Sequence, residues 1–163
     1  MSDIYLVDTN IWIAHSISYP DAVSYMDDQL IAKGKTIAIN TVIMMELMSH
    51  EDVENHQSVR DVFEDYIYNM ADEIYEIGDE IAMKAAEIRR KAKVAGRKVP
   101  KGPDALIAAT ASLLQIPVVS NNDKDFIWAS QHPDFCFTYI NPIQDNEAYK
   151  RFQDALIEAK KEN

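Results

Sequence analysis

Short apolar runs alternate along this chain with longer segments of helical periodicity. Each run is too short for a helix and predicts a buried strand: Ile4–Val7, Thr36–Ile39, Val118–Val119 and the longer Phe135–Ile140. Three of the helical segments are the most regular: 56–70, 79–95 and 145–160. Strands that alternate with helices are typical of a parallel sheet. We therefore predict an α/β fold with a central, mainly parallel sheet flanked by helices on both faces.

The length of the chain favours one domain. Its 163 residues are enough to bury roughly 70% of the unfolded surface, so we predict a single domain over 1–163, with a C-terminal helix at about 145–161. The lone cysteine, Cys136, lies in the last predicted strand, where we expect it to pack rather than react. The chain shows neither a signal-type start nor a run of roughly 20 apolar residues. We expect a cytoplasmic protein with no membrane partner.

Four acidic residues occupy comparable positions in this predicted fold. Asp8 closes the first strand, and Asp123 follows the Val118–Val119 strand. Glu46 lies among apolar residues on a helix after the second strand, and Asp104 lies in the first turn of another helix. Each has an ordinary explanation by itself, as a turn, a cap or a complement to the helix dipole. At the carboxyl edge of a parallel sheet, however, such residues can converge.

Convergence of these acids would have a chemical consequence. Two carboxylates about 4 Å apart repel by roughly 4 kcal/mol at an effective dielectric constant of 20, so the cluster needs protons or a cation. Oxygen-only ligands favour Mg²⁺ or Mn²⁺, and the four histidines show no zinc-binding spacing. The sequence also lacks a phosphate-binding glycine loop. A carboxylate-held Mg²⁺ is suited to phosphodiester hydrolysis.

The charge of the chain is unevenly distributed. The formal net charge of −11 argues against general binding to duplex nucleic acid. Yet eight of the sixteen basic residues lie between Lys84 and Lys101, directly before Asp104. This segment is either a solvated helix face or a contact for a polyanion.

The motifs around the four acids resemble those of the PIN-domain family, in particular the VapC-type toxin ribonucleases of toxin–antitoxin systems. The resemblance covers nearly the whole chain and is carried by four segments: Leu6–Asn10, the helix with Glu46, Asp104–Ala111 and Val119–Phe126. It implies a Mg²⁺- or Mn²⁺-dependent endoribonuclease that cuts single-stranded or loop RNA. It also implies a small antitoxin partner and a homodimer, for which Phe63, Tyr66 and Tyr68 could supply apolar contacts.

The resemblance also implies roles for individual residues. Asp8 and Asp104 would be direct or water-mediated ligands of one or two metal ions, and Glu46 and Asp123 would complete the cluster. Thr9, Asn10 and Ser120 would hold the carboxylates or bind phosphate. Asp125 is the alternative fourth acid, but we favour Asp123 because it is nearer the strand end, whereas Asp125 could cap a helix that begins near Phe126. We further predict that three basic residues contact RNA phosphates: Arg97, Lys98 and Lys101.

Three other functions fit parts of the pattern. The first is a noncatalytic PIN-domain protein that binds RNA or serves as a scaffold, which the presence of all four acids disfavours. The second is another Mg²⁺-dependent α/β phosphohydrolase, such as a haloacid-dehalogenase-type phosphatase, which requires a second aspartate where this chain has Asn10. The third is a structure-specific DNA nuclease of related fold, and such enzymes are usually larger. The RNA target, the number of metal ions and the identity of an antitoxin are left open.

Overall fold

A computed structural model of the protein describes residues 3–163, so the first two residues of the predicted domain lie outside the described part. The strands of this part form one sheet: β1 (Ile4–Val7), β2 (Thr36–Asn40), β3 (Glu73–Tyr75), β4 (Val118–Val119) and β5 (Tyr139–Ile140). Their order is β3-β2-β1-β4-β5, and every neighbouring pair is parallel. The predicted α/β fold with a mainly parallel sheet is confirmed.

The segments between the strands are helical. Within residues 3–163 the α-helices are α1 (Thr9–Ser16), α2 (Pro20–Ser24), α3 (Thr41–Met48), α4 (Asp52–Asn55), α5 (Gln57–Asp65), α6 (Asp79–Val94), α7 (Gly102–Leu114), α8 (Asp123–Gln131) and α9 (Asn146–Lys161). Two of them continue as π-helical turns, α2 through Tyr25–Ile31 and α5 through Tyr66–Met70. The predicted helices at 56–70, 79–95 and 145–160 are all present.

The strand order determines where the functional side chains meet. From β1 the chain moves outward to β2 and β3, then crosses back to β4 and β5 on the other side of β1. Because parallel crossovers are right-handed, the two directions place their helices on opposite faces of the sheet. The order reverses between β1 and β4, where Val7 pairs with Val119. Ligand sites of open parallel sheets lie in the crevice at such a reversal, outside the carboxyl ends of the strands.

The core explains the composition of the central elements. Leu6 and Val7 of β1 are completely buried, and the indole Nε1 of Trp12 donates to the carbonyl of Val7 at 3.0 Å. In α7, Ala105 and Ala108 are also fully buried. These small residues let the helix pack closely, as its sequence predicts, and they hold its N-terminus firmly at the carboxyl edge of the sheet.

Three predictions are wrong. The strand predicted for Phe135–Ile140 is only Tyr139–Ile140, because Phe135 is buried in a turn and Cys136 has φ +30°. Cys136 is therefore exposed rather than packed in a strand. Phe63 and Tyr66, suggested as interface residues, are 2% and 4% exposed and belong to the core.

The C-terminal helix α9 packs against the preceding part of the chain. Asp145 caps it by accepting hydrogen bonds from the backbone N–H groups of Glu147 and Ala148, both at 3.0 Å. The ring of Tyr149 meets that of Tyr19 at 4.6 Å between centroids. Among the described residues, no helix has the length and apolar composition that crossing a membrane requires.

Candidate active site

Asp8 lies at the reversal of the strand order and joins the ends of β1 and β4. It is the N-cap residue of α1, and its Oδ1 accepts a hydrogen bond from the backbone N–H of Thr9 at 2.7 Å. Its Oδ2 accepts from Ser120 Oγ at 2.7 Å and from Asn10 Nδ2 at 3.3 Å. The side chain is 3% exposed. Asn10 and Ser120 thus hold this carboxylate through hydrogen bonds.

Glu46 is connected to Asp8 through Thr9, which donates a hydrogen bond to each carboxylate. Asn40 ends β2 and caps α3, because its side chain accepts a hydrogen bond from the backbone N–H of Ile43 at 2.9 Å. This cap fixes the start of the helix that carries Glu46. The half-buried Glu46 on α3 accepts from Thr9 Oγ1 at 3.0 Å. Burial raises the pKa of Glu46, although the hydrogen bond from Thr9 opposes this. Thr9 therefore holds one carboxylate with its backbone and another with its side chain.

Asp104 and Asp125 form a second, directly linked pair. The amide Nδ2 of Asn122 donates to Asp104 Oδ2 at 2.9 Å and to Asp125 Oδ2 at 3.1 Å. The two carboxyl groups also share a hydrogen bond with each other. Asp104 is 8% exposed and Asp125 is 2% exposed. One amide and one shared proton therefore hold two nearly buried acids side by side.

The four acids influence one another electrostatically. Burial raises the pKa of Asp104 to about 8, helped by the hydrogen bond to Asp125 and by the charges of Asp8 and Glu46. Burial also raises the pKa of Asp8 to about 6, and the charges of Glu46 and Asp125 act in the same direction. Burial acts on Asp125 too, but the hydrogen bonds from Asp104 and Lys98 outweigh it and hold the pKa of Asp125 below its ordinary value. The cluster therefore retains a proton on Asp104 near neutral pH.

Of the three basic residues predicted to contact RNA, one reaches the acids. Lys98 Nζ donates to Asp125 Oδ1 at 2.6 Å, and the lysine side chain is half-exposed. Arg97 and Lys101 are exposed on the same loop, and neither forms a salt bridge within residues 3–163. The basic loop is therefore in direct contact with the acidic cluster.

Asp123, favoured from the sequence as the fourth acid, has different partners. Its Oδ1 accepts from Tyr139 OH at 2.6 Å and from Asn141 Nδ2 at 3.0 Å. Asp125, not Asp123, is the acid that contacts Asp104. Asp125 does not cap a helix near Phe126, because α8 already begins at Asp123 with Asn122 as its N-cap residue.

Sequence reasoning missed three polar residues of the site: Asn122, Tyr139 and Asn141. The pair Asn121–Asn122 at the exit of β4 was a usable signal, because Asx residues after a strand commonly direct side-chain hydrogen bonds. For Tyr139 and Asn141 no local pattern indicates that β5 brings them beside Asp123.

The oxygen donors suit a hard divalent cation, but they are not arranged around one. Among residues 3–163, no three His, Cys, Asp or Glu side chains surround a common point closely enough to hold a metal ion. The proton shared by Asp104 and Asp125 and the ammonium of Lys98 carry out the neutralisation that a metal would supply. Carboxylate and amide oxygens fit Mg²⁺ or Mn²⁺. Binding would have to displace this proton.

Comparison with known families identifies this arrangement. A sequence model described as PIN domain matches residues 5–129, which contain all the acids discussed above. The chain belongs to the PIN-domain family. The family predicted from the four motifs is confirmed, and the matched part of this PIN domain ends within α8, before β5 and α9.

Solved structures similar to this PIN domain include a chain of VapBC2 and a toxin–antitoxin complex. A chain of VapBC2 from Rickettsia felis, bound to a DNA fragment from its promoter, is 27% identical with a TM-score of 0.62, and the match covers 85% of this chain and 98% of that one. A toxin–antitoxin complex from Klebsiella pneumoniae gives 26% identity, a TM-score of 0.60 and coverage of 86% and 99%. FitAcB from Neisseria gonorrhoeae, at 21% identity, a TM-score of 0.62 and coverage of 85% and 97%, shares the fold. No curated protein matches the sequence.

Proposed function

We propose that this PIN domain is a Mg²⁺- or Mn²⁺-dependent endoribonuclease and the toxin of a toxin–antitoxin pair. The observation that carries the proposal is the gathering of Asp8, Glu46, Asp104 and Asp125 at one edge of the sheet, with raised pKa values for the first three. Carboxyl groups that resist ionisation because they are buried, and in the case of Asp8 and Asp104 also because other acids lie close, gain from a divalent cation. Such a cation, when bound, supplies a water of lowered pKa and shields phosphate charge.

The side chains have distinct roles in this proposal. Asp8, Asp104 and Asp125 would hold the metal, and Glu46 would orient the attacking water and accept its proton. Ser120 and Asn122 keep the carboxylates in position through hydrogen bonds of 2.7 Å to Asp8 and 2.9 Å to Asp104. Asp123 lies outside this group of ligands, where it accepts a hydrogen bond from Tyr139.

Lys98 is placed to serve the substrate as well as the acids. Its ammonium neutralises Asp125 in the absence of a metal. If a bound metal neutralised Asp125, the half-exposed Lys98 would pair with a phosphate of the RNA. Arg97 and Lys101, on the same loop, would contact neighbouring phosphates.

Single-stranded or loop RNA is the substrate that we propose. The support is the resemblance of the four motifs to VapC-type ribonucleases, together with the basic loop beside the acids. Unpaired RNA exposes its bases and backbone, whereas the deep groove of an A-form helix excludes side chains. Because the protein is strongly acidic except at the basic loop, its substrate has to approach at that one place. A flexible single strand can do this.

The proposed partner is a small antitoxin. The support is the similarity of this chain to chains of the Rickettsia felis and Klebsiella pneumoniae complexes, which are 27% and 26% identical to it. A groove of about 550 Å³ between α1, α5 and α9 offers such a partner an apolar surface. Ile13, Val59 and Leu156 are among the residues that line it. We also propose a homodimer, whose mass can be measured by size-exclusion chromatography with light scattering.

A cleavage assay tests the proposal. The purified protein, freed of any bound partner, is incubated with a mixed pool of structured and single-stranded RNAs in Mg²⁺ or Mn²⁺. We expect cleavage that both EDTA and Asp104→Asn abolish. Cleavage that survives both treatments would contradict the assigned site, because it would come from other residues or from a contaminant.

One observation favours a second candidate, a PIN domain that binds RNA without cutting it. The acids of the described residues are not arranged in a ready-made group of three ligands. A folded, partner-free protein that binds the RNA pool and Mn²⁺ but leaves every RNA intact would establish this second function.

A further inference from the structure

Helix α6 carries basic residues on two surfaces with different surroundings. On one, Lys84 and Lys91 pair with Glu87 at 3.3 and 3.2 Å, and Lys91 also pairs with Asp134. Both ammonium groups lie 5.7 Å from the ring centre of Phe135. The charges of these two lysines are therefore balanced within the protein and are not available to a ligand.

The other surface of α6 borders a pocket of about 440 Å³. The pocket is lined by Ala86, Arg89, Arg90, Lys93 and Val99. None of its three basic residues forms a salt bridge within the described part of the chain. In a protein with a net charge of −11, three cations around one concave surface without an acid in contact indicate an anionic ligand.

The pocket and the acid cluster are joined by the loop between α6 and α7. Arg89 Nε donates to the carbonyl oxygen of Pro100 at 3.1 Å and fastens the loop to α6. Lys98 of the same loop contacts Asp125 of the cluster, and the next residue, Val99, lines the pocket. Consecutive Cα atoms are about 3.8 Å apart. A strand that follows the loop would therefore meet both the cluster and the pocket.

We propose that this pocket binds one nucleotide of the RNA strand next to the phosphate that is cut. Arg90 and Lys93 would contact its phosphate, while the base would stack on the Arg89 guanidinium above Ala86 and Val99. The volume lies within the range of small-molecule sites, about 300–1,000 Å³. The inference rests on the proposed ribonuclease function and adds a subsite to it.

A charge-neutralising double variant tests the subsite. Arg90→Gln/Lys93→Gln removes two exposed cations and leaves the contact between Arg89 and Pro100 in place. Lys150→Gln/Arg151→Gln, on exposed residues of α9, makes the same change in net charge and is the matched control. The probe is a short fluorescein-labelled single-stranded RNA. Its affinity is measured in EDTA by fluorescence anisotropy over a series of salt concentrations.

We expect the pocket variant to bind the RNA more weakly and to reduce the magnitude of the slope of log K against log salt by about 0.7, the value for the one phosphate that both residues contact. The control should keep the slope of the unmodified protein. Equal slopes for both double variants would overturn the subsite. Polyglutamate that competes as well as RNA of equal charge would also overturn it, because the pocket would then bind an acidic protein segment.

The two proposals fail in different ways. If the unmodified protein cuts RNA but the pocket variant keeps its salt slope, the subsite is wrong and the ribonuclease function stands. If the unmodified protein cuts no RNA but the variant loses slope, the pocket binds RNA and the catalytic function is wrong. When both hold, the pocket variant should raise KM for a long RNA severalfold and leave kcat nearly unchanged.

Discussion

At the scale of single residues, the site is governed by how its acids avoid repelling one another. Asp104 keeps a proton that it shares with Asp125, Lys98 supplies a positive charge, and Ser120 donates to Asp8. These three arrangements reduce the repulsion between the acids and so stabilise the metal-free protein. They also disfavour the ionised form of Asp104. A group of carboxyl side chains that resists ionisation in this way is suited to binding a cation rather than to stabilising the fold.

This electrostatic balance predicts a pH-dependent effect of Asp104→Asn on stability. The pKa of Asp104 is about 8 in the folded protein, against an ordinary value of 3.8 in the unfolded chain. Its contribution to stability is therefore fully present below about pH 4 and is lost as the pH rises through about 8. Asparagine stays neutral, so in EDTA the melting temperature of the variant should exceed that of the unmodified protein by several degrees more at pH 9 than at pH 5. A melting-temperature difference that does not change with pH would contradict this assignment.

A second residue-scale prediction separates the two candidate fourth acids. Asp125 contacts Asp104 and Lys98, whereas Asp123 contacts Tyr139 and Asn141. Loss of a residue that only supports a metal ligand typically costs about 10–100-fold. We expect Asp125→Asn to slow single-turnover RNA cleavage by about 100-fold or more and Asp123→Asn by less than about tenfold. The reverse order of the two rates would restore Asp123 as the fourth acid.

The sequence was informative about the positions of Asp8, Glu46 and Asp104 and less so about the choice between Asp123 and Asp125. Asp8 was predictable because it closes a recognisable apolar strand. Glu46 was predictable because it lies on an apolar helix that follows a second such strand. Asp123 and Asp125 are only two positions apart in the first turn of α8. Which of them faces Asp104 depends on how α8 packs, and no pattern in the chain encodes this directly.

At the scale of elements, local sequence determined the long helices and the three central strands well, and the two edge strands, β3 and β5, poorly. Helix α6 has regular apolar spacing and ends before Gly96, where the chain adopts φ +67°. Strand β3 was not predicted, because its three residues are largely exposed and lie at the edge of the sheet. The π-helical turns at Tyr25–Ile31 and Tyr66–Met70 have no local signature in the sequence.

The turn at Gly96 gives an element-scale prediction. A Cβ there would meet no atom within 4 Å, so the cost of Gly96→Ala comes from its left-handed backbone alone. That cost is about 1–2 kcal/mol, or about 2–4 °C in melting temperature for each kcal/mol in a protein of this size. Gly96→Asn should lose less, because asparagine tolerates this conformation better. Thermal unfolding followed by circular dichroism measures both variants, and an alanine variant as stable as the unmodified protein would show that the turn relaxes.

At the scale of the whole molecule, one topological feature accounts for the site. The reversal of strand order between β1 and β4 brings together residues more than a hundred positions apart, such as Asp8 and Ser120. The same loop that follows α6 connects this crevice to a basic surface on a protein that is otherwise strongly acidic. Anionic strands should therefore approach from one side only.

We propose that the acids at this edge form one site for a divalent cation, which must displace a proton to bind. Mn²⁺ is titrated into the metal-free protein by calorimetry at pH 7, in two buffers of different ionisation enthalpy, and the protons released are calculated. We expect saturable binding with release of about one proton, and both much reduced in Asp104→Asn. Absence of saturable binding, or the same affinity and proton release in the Asp104→Asn variant, would contradict the claim.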